Sequence, residues 1–179
     1  MALIHYPVLS KNGEVIASAV TNLDLHDIAR TARTYGVKGF FVVTPLADQQ
    51  SLAGRILAHW TAGEGARYNP KRGEALALID IQANFSDVCR AIEDREACRP
   101  QVVATSARIA AGTVSYPRLR DMVARGDPYV LAFGTAWGLA EDFIEAADHV
   151  LDPIGGQSDY NHLAVRSAAA IVLDRLVGN

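Results

Sequence analysis

Pro128-Tyr-Val-Leu-Ala-Phe-Gly-Thr-Ala-Trp-Gly-Leu-Ala-Glu-Asp-Phe143 is the stretch on which the reading of the fold turns. Residues 129–133 are apolar throughout, as a strand covered on both faces must be. Gly134 and Gly138 bracket a turn, and a helix is expected from about Leu139. In a parallel α/β sheet such a junction is where ligands bind, because strand ends and helix N-termini both present free backbone groups there. A second small-residue turn, Ile154-Gly-Gly-Gln-Ser-Asp-Tyr-Asn-His-Leu163, is expected to open the last helix over 161–177. Two such turns can line one pocket.

Outward from this junction the chain alternates strand and helix patterns. Strands are expected at 3–8, 39–44, 75–81, 101–105, 129–133 and 149–151, with 14–20 a further extended segment or an excursion. Asp24 is a good N-cap for a helix to about Tyr35, and Pro45 and Asp48 start another with Leu52, Ile56 and Trp60 as a buried stripe. Helices are also expected at 85–97 and 117–124. The Gly-, Asn- and Pro-rich segment 61–73 reads as a surface loop, and 106–113 as a small polar turn. The expected class is therefore α/β, a mostly parallel sheet of about six strands with helices on both faces.

A chain of 179 residues, half of them apolar, suits one compact domain over 1–179. The net charge of −3 argues against a protein that coats nucleic acid through its global field. A local patch is still available in Arg30, Arg33, Lys38, Arg55, Arg67, Lys71 and Arg72, with Trp60 and Tyr68 as stacking rings. No basic segment leads into a long apolar run, so a soluble, cytoplasmic protein without a membrane partner is expected. Cys89 and Cys98 fall in one expected helix about 13 Å apart, too far for a disulfide, which suits a reducing compartment.

Spacing excludes several chemistries. Neither Gly-x-Gly-x-x-Gly nor Gly-x-x-x-x-Gly-Lys-[Ser/Thr] follows any expected strand. Gly134-Thr-Ala-Trp-Gly138 has the frame of a nucleophile elbow, but Ala136 stands where the attacking oxygen would be. His5, His26, His59, His149 and His162 show no metal-ligand spacing, and no metal is expected. What is left suits a nucleoside-like molecule, bound through backbone groups with Leu131, Leu139, Ile154 and Leu163 around a flat base.

The run from Leu151 to Ile171, taken with Phe133-Gly-Thr-Ala-Trp-Gly-Leu139, resembles motifs three and two of the SPOUT superfamily of α/β-knot RNA methyltransferases. Asn22-Leu-Asp-Leu-His-Asp-Ile-Ala-Arg-Thr-Ala-Arg-Thr-Tyr-Gly-Val37 is similar to motif one of the SpoU/TrmH type. With Leu-Ile-His-Tyr-Pro-Val-Leu9 and Tyr68-Asn-Pro-Lys-Arg72, the chain looks most like a small stand-alone bacterial branch.

The resemblance implies a C-terminal trefoil knot, a homodimer that shares its active site, S-adenosylmethionine as donor with S-adenosylhomocysteine as product, and an RNA substrate, with no DNA partner. It places the donor against Thr105, Ser106, Leu131, Phe133, Gly134, Thr135, Gly138, Leu139, Ile154, Gly155, Gly156, Asn161, His162 and Leu163. Arg30 matches the motif-one arginine; with a pKa above about 12 it suits orienting phosphate or stabilising oxyanion charge better than removing a proton. Arg166 and His162 could meet substrate phosphate or the donor carboxylate, or form a helix-end salt bridge.

Two departures bear on the acceptor. The motif-two glutamate is missing, its turn shortened to Ala136-Trp137, and the Asn and Ser positions of motif three carry Ala164 and Arg166. The ribose 2′-oxygen and a base nitrogen or carbon therefore stand equally open. So do binding of the adenosyl compound without catalysis and an unknotted Rossmann-like enzyme for a small molecule.

Overall fold

Strands that are apolar at every position need cover on both faces, and the computed structural model, which describes residues 1–108, 112–158 and 160–179, has that arrangement. In chain order its elements are β1 (Ala2–Ile4), β2 (Val8–Leu9), β3 (Val15–Ile16), α1 (Asn22–Thr34), β4 (Phe40–Val43), α2 (Ala47–Thr61), α3 (Glu64–Tyr68), α4 (Pro70–Leu76), β5 (Ile79–Gln82), α5 (Phe85–Glu96), β6 (Gln101–Thr105), α6 (Tyr116–Val123), β7 (Tyr129–Gly134), α7 (Glu141–Glu145), β8 (His149–Leu151) and α8 (Val165–Val177). Six strands pair in parallel in the order β5-β4-β1-β7-β6-β8, while β2 and β3 form a separate antiparallel ribbon.

Successive strand side chains point to opposite faces, which splits the core in two. Leu3, Phe40, Val42, Leu131 and Phe133 pack with Leu25, Ile28, Val172 and Leu173 of α1 and α8 on one side. Ala2, Ile4, Phe41, Val43, Val130 and Ala132 pack with Val88 and Ile92 of α5 on the other. Phe40, Phe41 and Phe133 are fully buried, each worth about 1.5–3 kcal/mol of apolar transfer. Among the described residues no helix is long and apolar enough to cross a membrane.

Several local expectations are corrected. Residues 61–73 are largely helical, because Asn69 accepts from Arg72 N–H (3.1 Å) as a cap and Pro70 occupies the first turn, where its missing N–H costs nothing. Gly65 and Gly73 in this segment are close-approach residues, since a Cβ would lie 2.7 Å from the Trp60 ring and 2.6 Å from Trp60 O respectively. Ala75 and Leu76 accordingly end α4, and β5 starts only at Ile79. In α2 only Ala53 is fully buried; Leu52, Ile56 and Trp60 are half-buried.

Cys98 lies beyond the end of α5, so the two thiols do not share a helix; both are free. The cap of α1 is Thr21, whose hydroxyl accepts from Asp24 N–H (3.3 Å), and Asp24 is instead in the first helical turn. The last helix starts at Val165 rather than at 161, because residues 161–164 line a cavity without regular structure and Asn161 bonds to another loop instead of capping.

Candidate functional site

Because the six strands run parallel their carboxyl ends share one edge, and beyond β6, β7 and β8 that edge opens into a cavity of about 760 Å³. Such a volume holds a drug-sized ligand.

The turn after β7 forms one wall. Gly138 N–H donates to Thr135 O (2.9 Å), and Ala136 (φ 51°) and Gly138 (φ 101°) both lie in the left-handed region. For alanine this costs about 1–2 kcal/mol and persists only where the surroundings fix it. The residues after β1 do so. Leu9 N–H donates to Gly138 O (2.9 Å), Trp137 N–H to Leu9 O (3.1 Å) and Thr135 N–H to Ile4 O (3.1 Å). The turn packs so tightly on its own start that a Cβ on Gly134 would lie 2.5 Å from Leu139 N.

The opposite wall comes from the β8 exit. Ile154 and Leu163 face Phe133 and Leu139 around the cavity, and Asn161 Nδ2 donates to Ala107 O (2.9 Å), tying this segment to the loop after β6. The His162 ring lies 5.8 Å from that of Trp137 across the mouth.

A third wall was not foreseen from sequence: Ser18, Ala19, Thr21 and Asp24, from the segment that enters α1. Its polar groups interlock. Thr135 Oγ1 donates to Ile4 O (3.0 Å) and lies 2.5 Å from Ser18 Oγ, which lies 3.0 Å from His5 Nδ1. With the Thr135 proton committed to Ile4 O, Ser18 must donate to Thr135, and His5 must donate from Nδ1 to Ser18. That leaves His5 Nε2 unprotonated, buried and without a partner among the described residues.

Burial drives the His5 imidazole down to about 4, with nearby Asp24 offsetting only part of the desolvation. The unfolded chain takes up this proton as pH falls through the ordinary imidazole value of 6.5, whereas the native protein resists until about 4. Stability is thus expected to fall by up to roughly 3 kcal/mol between those pH values and to be insensitive to this group above them. Urea unfolding across that range checks it, and His5→Asn, which keeps a donor toward Ser18, should flatten the dependence.

The residues singled out from sequence fall unevenly. Thr105, Ser106, Phe133, Gly134, Thr135, Gly138, Leu139, Ile154, Asn161, His162 and Leu163 all line the cavity. Leu131, Gly155 and Gly156 do not: Leu131 points into the core beside Phe133, and the two glycines are exposed. Arg166 is also outside the lining; its Nη1 lies 3.4 Å from Asp24 Oδ1 and its Nε 3.5 Å from Asp27 Oδ2, the salt-bridge alternative. Arg30 is exposed on α1 and makes no ion pair among the described residues. Of the expected stacking rings Tyr68 is open to solvent, but Trp60 is half-buried under the Arg72 guanidinium (4.6 Å).

Residues 1–178 match a family model described as SAM-dependent RNA methyltransferase. The tRNA (guanine-N(1)-)-methyltransferase of Oleidesulfovibrio alaskensis is 46% identical over 178 residues, 99% of this chain and 41% of that protein. A protein of Aquifex aeolicus named only as uncharacterized is 39% identical over 177 residues, 98% of this chain and 86% of that one. The chain thus spans about two fifths of the length of the methyltransferases it matches. The solved SpoU methyltransferase AviRb of Streptomyces viridochromogenes, in complex with AdoMet, shares the fold with a TM-score of 0.57 at 21% identity, over 89% of this chain and 54% of that one. Matched along nearly its whole length, the chain belongs to the SAM-dependent RNA methyltransferase family.

Proposed function

We propose that this chain transfers a methyl group from S-adenosylmethionine to a nucleotide of a structured RNA, tRNA or rRNA, working in the cytoplasm as a homodimer of one domain. The observation that carries this reading is the strand-end cavity, where the two glycine turns and the α1 entry meet. It fits the donor. Phe133, Leu139, Ile154 and Leu163 offer apolar faces to a base, and the Tyr116 ring lines the cavity beside them.

When bound, the donor supplies a methyl group already activated on sulfur with a neutral leaving group. The chain's own residues then have to align the acceptor and exclude water. The β7 turn, held by the backbone bonds from Leu9, is a rigid platform for the first task, and Leu163 and His162 across the mouth serve the second. Arg30, on the exposed face of α1, is proposed to orient RNA phosphate, at this site or across the dimer. Arg166 is proposed to act beside it, by holding Asp24 in place. The exposed apolar side chains of Leu23, Trp137 and Tyr160 support burial by a second copy.

A knotted C-terminus is supported by the surroundings of β8. That strand pairs with β6 on one side, while on the other Val114 N–H donates to Val150 O (2.8 Å) and Asp152 N–H to Val114 O (2.9 Å). Val114, in the segment that follows β6, thus lies along the far edge of β8, an arrangement that supports a chain end threaded through that connection.

Guanine N1, the acceptor named for the longer relatives, is one candidate beside other base atoms and the ribose oxygen. Incubation with methyl-labelled donor and RNA from a strain lacking the gene, followed by nucleoside analysis, tests the proposal. Label in a single modified nucleoside is expected; donor binding without label in any RNA would reduce the protein to an adenosyl-binding module.

A further inference from the structure

One side of the polar lining of the cavity is made of acceptors. Thr105 donates its hydroxyl proton to Ala132 O (2.9 Å), Thr135 to Ile4 O (3.0 Å) and Thr21 to Asp24 Oδ2 (2.5 Å), while Ser18 is committed to Thr135. These four hydroxyls point their protons into the protein, so lone pairs are what a ligand meets at them. Among them sits a negative charge, Asp24, which is 7% exposed and lines the cavity.

Beyond the bond from the Thr21 hydroxyl, the Asp24 carboxylate carries little structural duty. Thr21 caps α1 through the backbone N–H of Asp24, not its side chain, and Asp27 holds Arg166 from the more exposed side. The Arg166 contact on Oδ1 is long, 3.4 Å, and a carboxylate has about four lone-pair sites, so both oxygens keep acceptor capacity. Asp152 also lines the cavity but is bound to Thr113, and Arg108 is paired with Glu141.

We propose that Asp24 receives the acceptor's proton and faces the position of the transferred methyl group, an assignment that rests on reading the cavity as the donor pocket. As the acceptor's electron pair forms its bond to the methyl carbon, the carbon–sulfur pair stays on sulfur as a neutral thioether and the acceptor's N–H or O–H proton passes to Asp24 Oδ. The carboxylic acid so formed releases the proton to solvent when product leaves. One positive and one negative charge disappear together, a balance suited to a site with little water, and Arg30 and Arg166, both permanently protonated, cannot perform it. The acceptor is therefore a group that bears hydrogen.

The test needs no RNA. Adenosylhomocysteine is neutral at sulfur, whereas the analogue with an amine-bearing carbon in that place presents an ammonium where the methyl group would be. Calorimetric titration of both is expected to show Asp24→Asn weakening the amine analogue at least about tenfold while changing adenosylhomocysteine less than about threefold. Equal weakening of both, or of neither, overturns the assignment. If wild-type protein binds neither compound, the donor-pocket reading itself fails. Should Asp24→Asn melt early, Asp24→Ser serves in its place, with the same selective loss of the amine analogue expected and an unchanged ratio overturning the proposal.

Discussion

Gly134→Val is expected to abolish adenosylhomocysteine binding while leaving a folded protein. A Cβ at this position would lie 2.5 Å from Leu139 N and 2.7 Å from the Gly138 carbonyl carbon, so the obstacle is backbone and not a side chain that can swing away. The turn must open, breaking the hydrogen bonds from Leu9 that fix its left-handed residues. Overpacking of this kind costs about 1–3 kcal/mol and displaces Gly138 and Leu139, which line the cavity, so a loss of about 100-fold or more in affinity is expected. Gly138 differs: its Cβ would meet open space, but φ of 101° strains any other residue there. Calorimetry beside a thermal melt separates the two effects. Normal affinity in Gly134→Val would remove the β7 turn from the pocket.

Arg30→Ala is expected to show the opposite division. Its side chain is exposed, makes no ion pair among the described residues and does not line the cavity, so donor affinity and stability should stay within about threefold and 0.5 kcal/mol. Methyl transfer should fall by about 10²–10³-fold, as when a charge-stabilising donor is removed. Single-turnover transfer to RNA from the deletion strain measures it. Full activity would move the arginine's role elsewhere, and lost donor affinity would place it in the pocket.

The sheet was legible because β4 and β7 are apolar throughout and β6 is apolar at its centre, a pattern few other settings allow. The two glycine turns were legible because their residues are contiguous in sequence. The Ser18–Asp24 wall was not, since it reaches the site through contacts such as Ser18 to Thr135 that no local pattern encodes. Helices α3 and α4 were hidden for another reason: Gly65 and Gly73, which read as loop residues, are required by the closeness of Trp60, and only the Asn69-Pro70 pair signalled a helix start. Leu131 lies in the core off the cavity lining, because strand alternation sends Leu131 and Phe133 to the same face but only Phe133 to the cavity edge.

Titration of the wild-type chain with adenosylhomocysteine bears most directly on the central claim that the strand-end cavity is a donor pocket. Saturable heat with a single site per chain, absent in Gly134→Val, is the expected result. A folded wild-type protein that shows no binding up to about 1 mM, or a Gly134→Val variant that binds as wild type does, would contradict it.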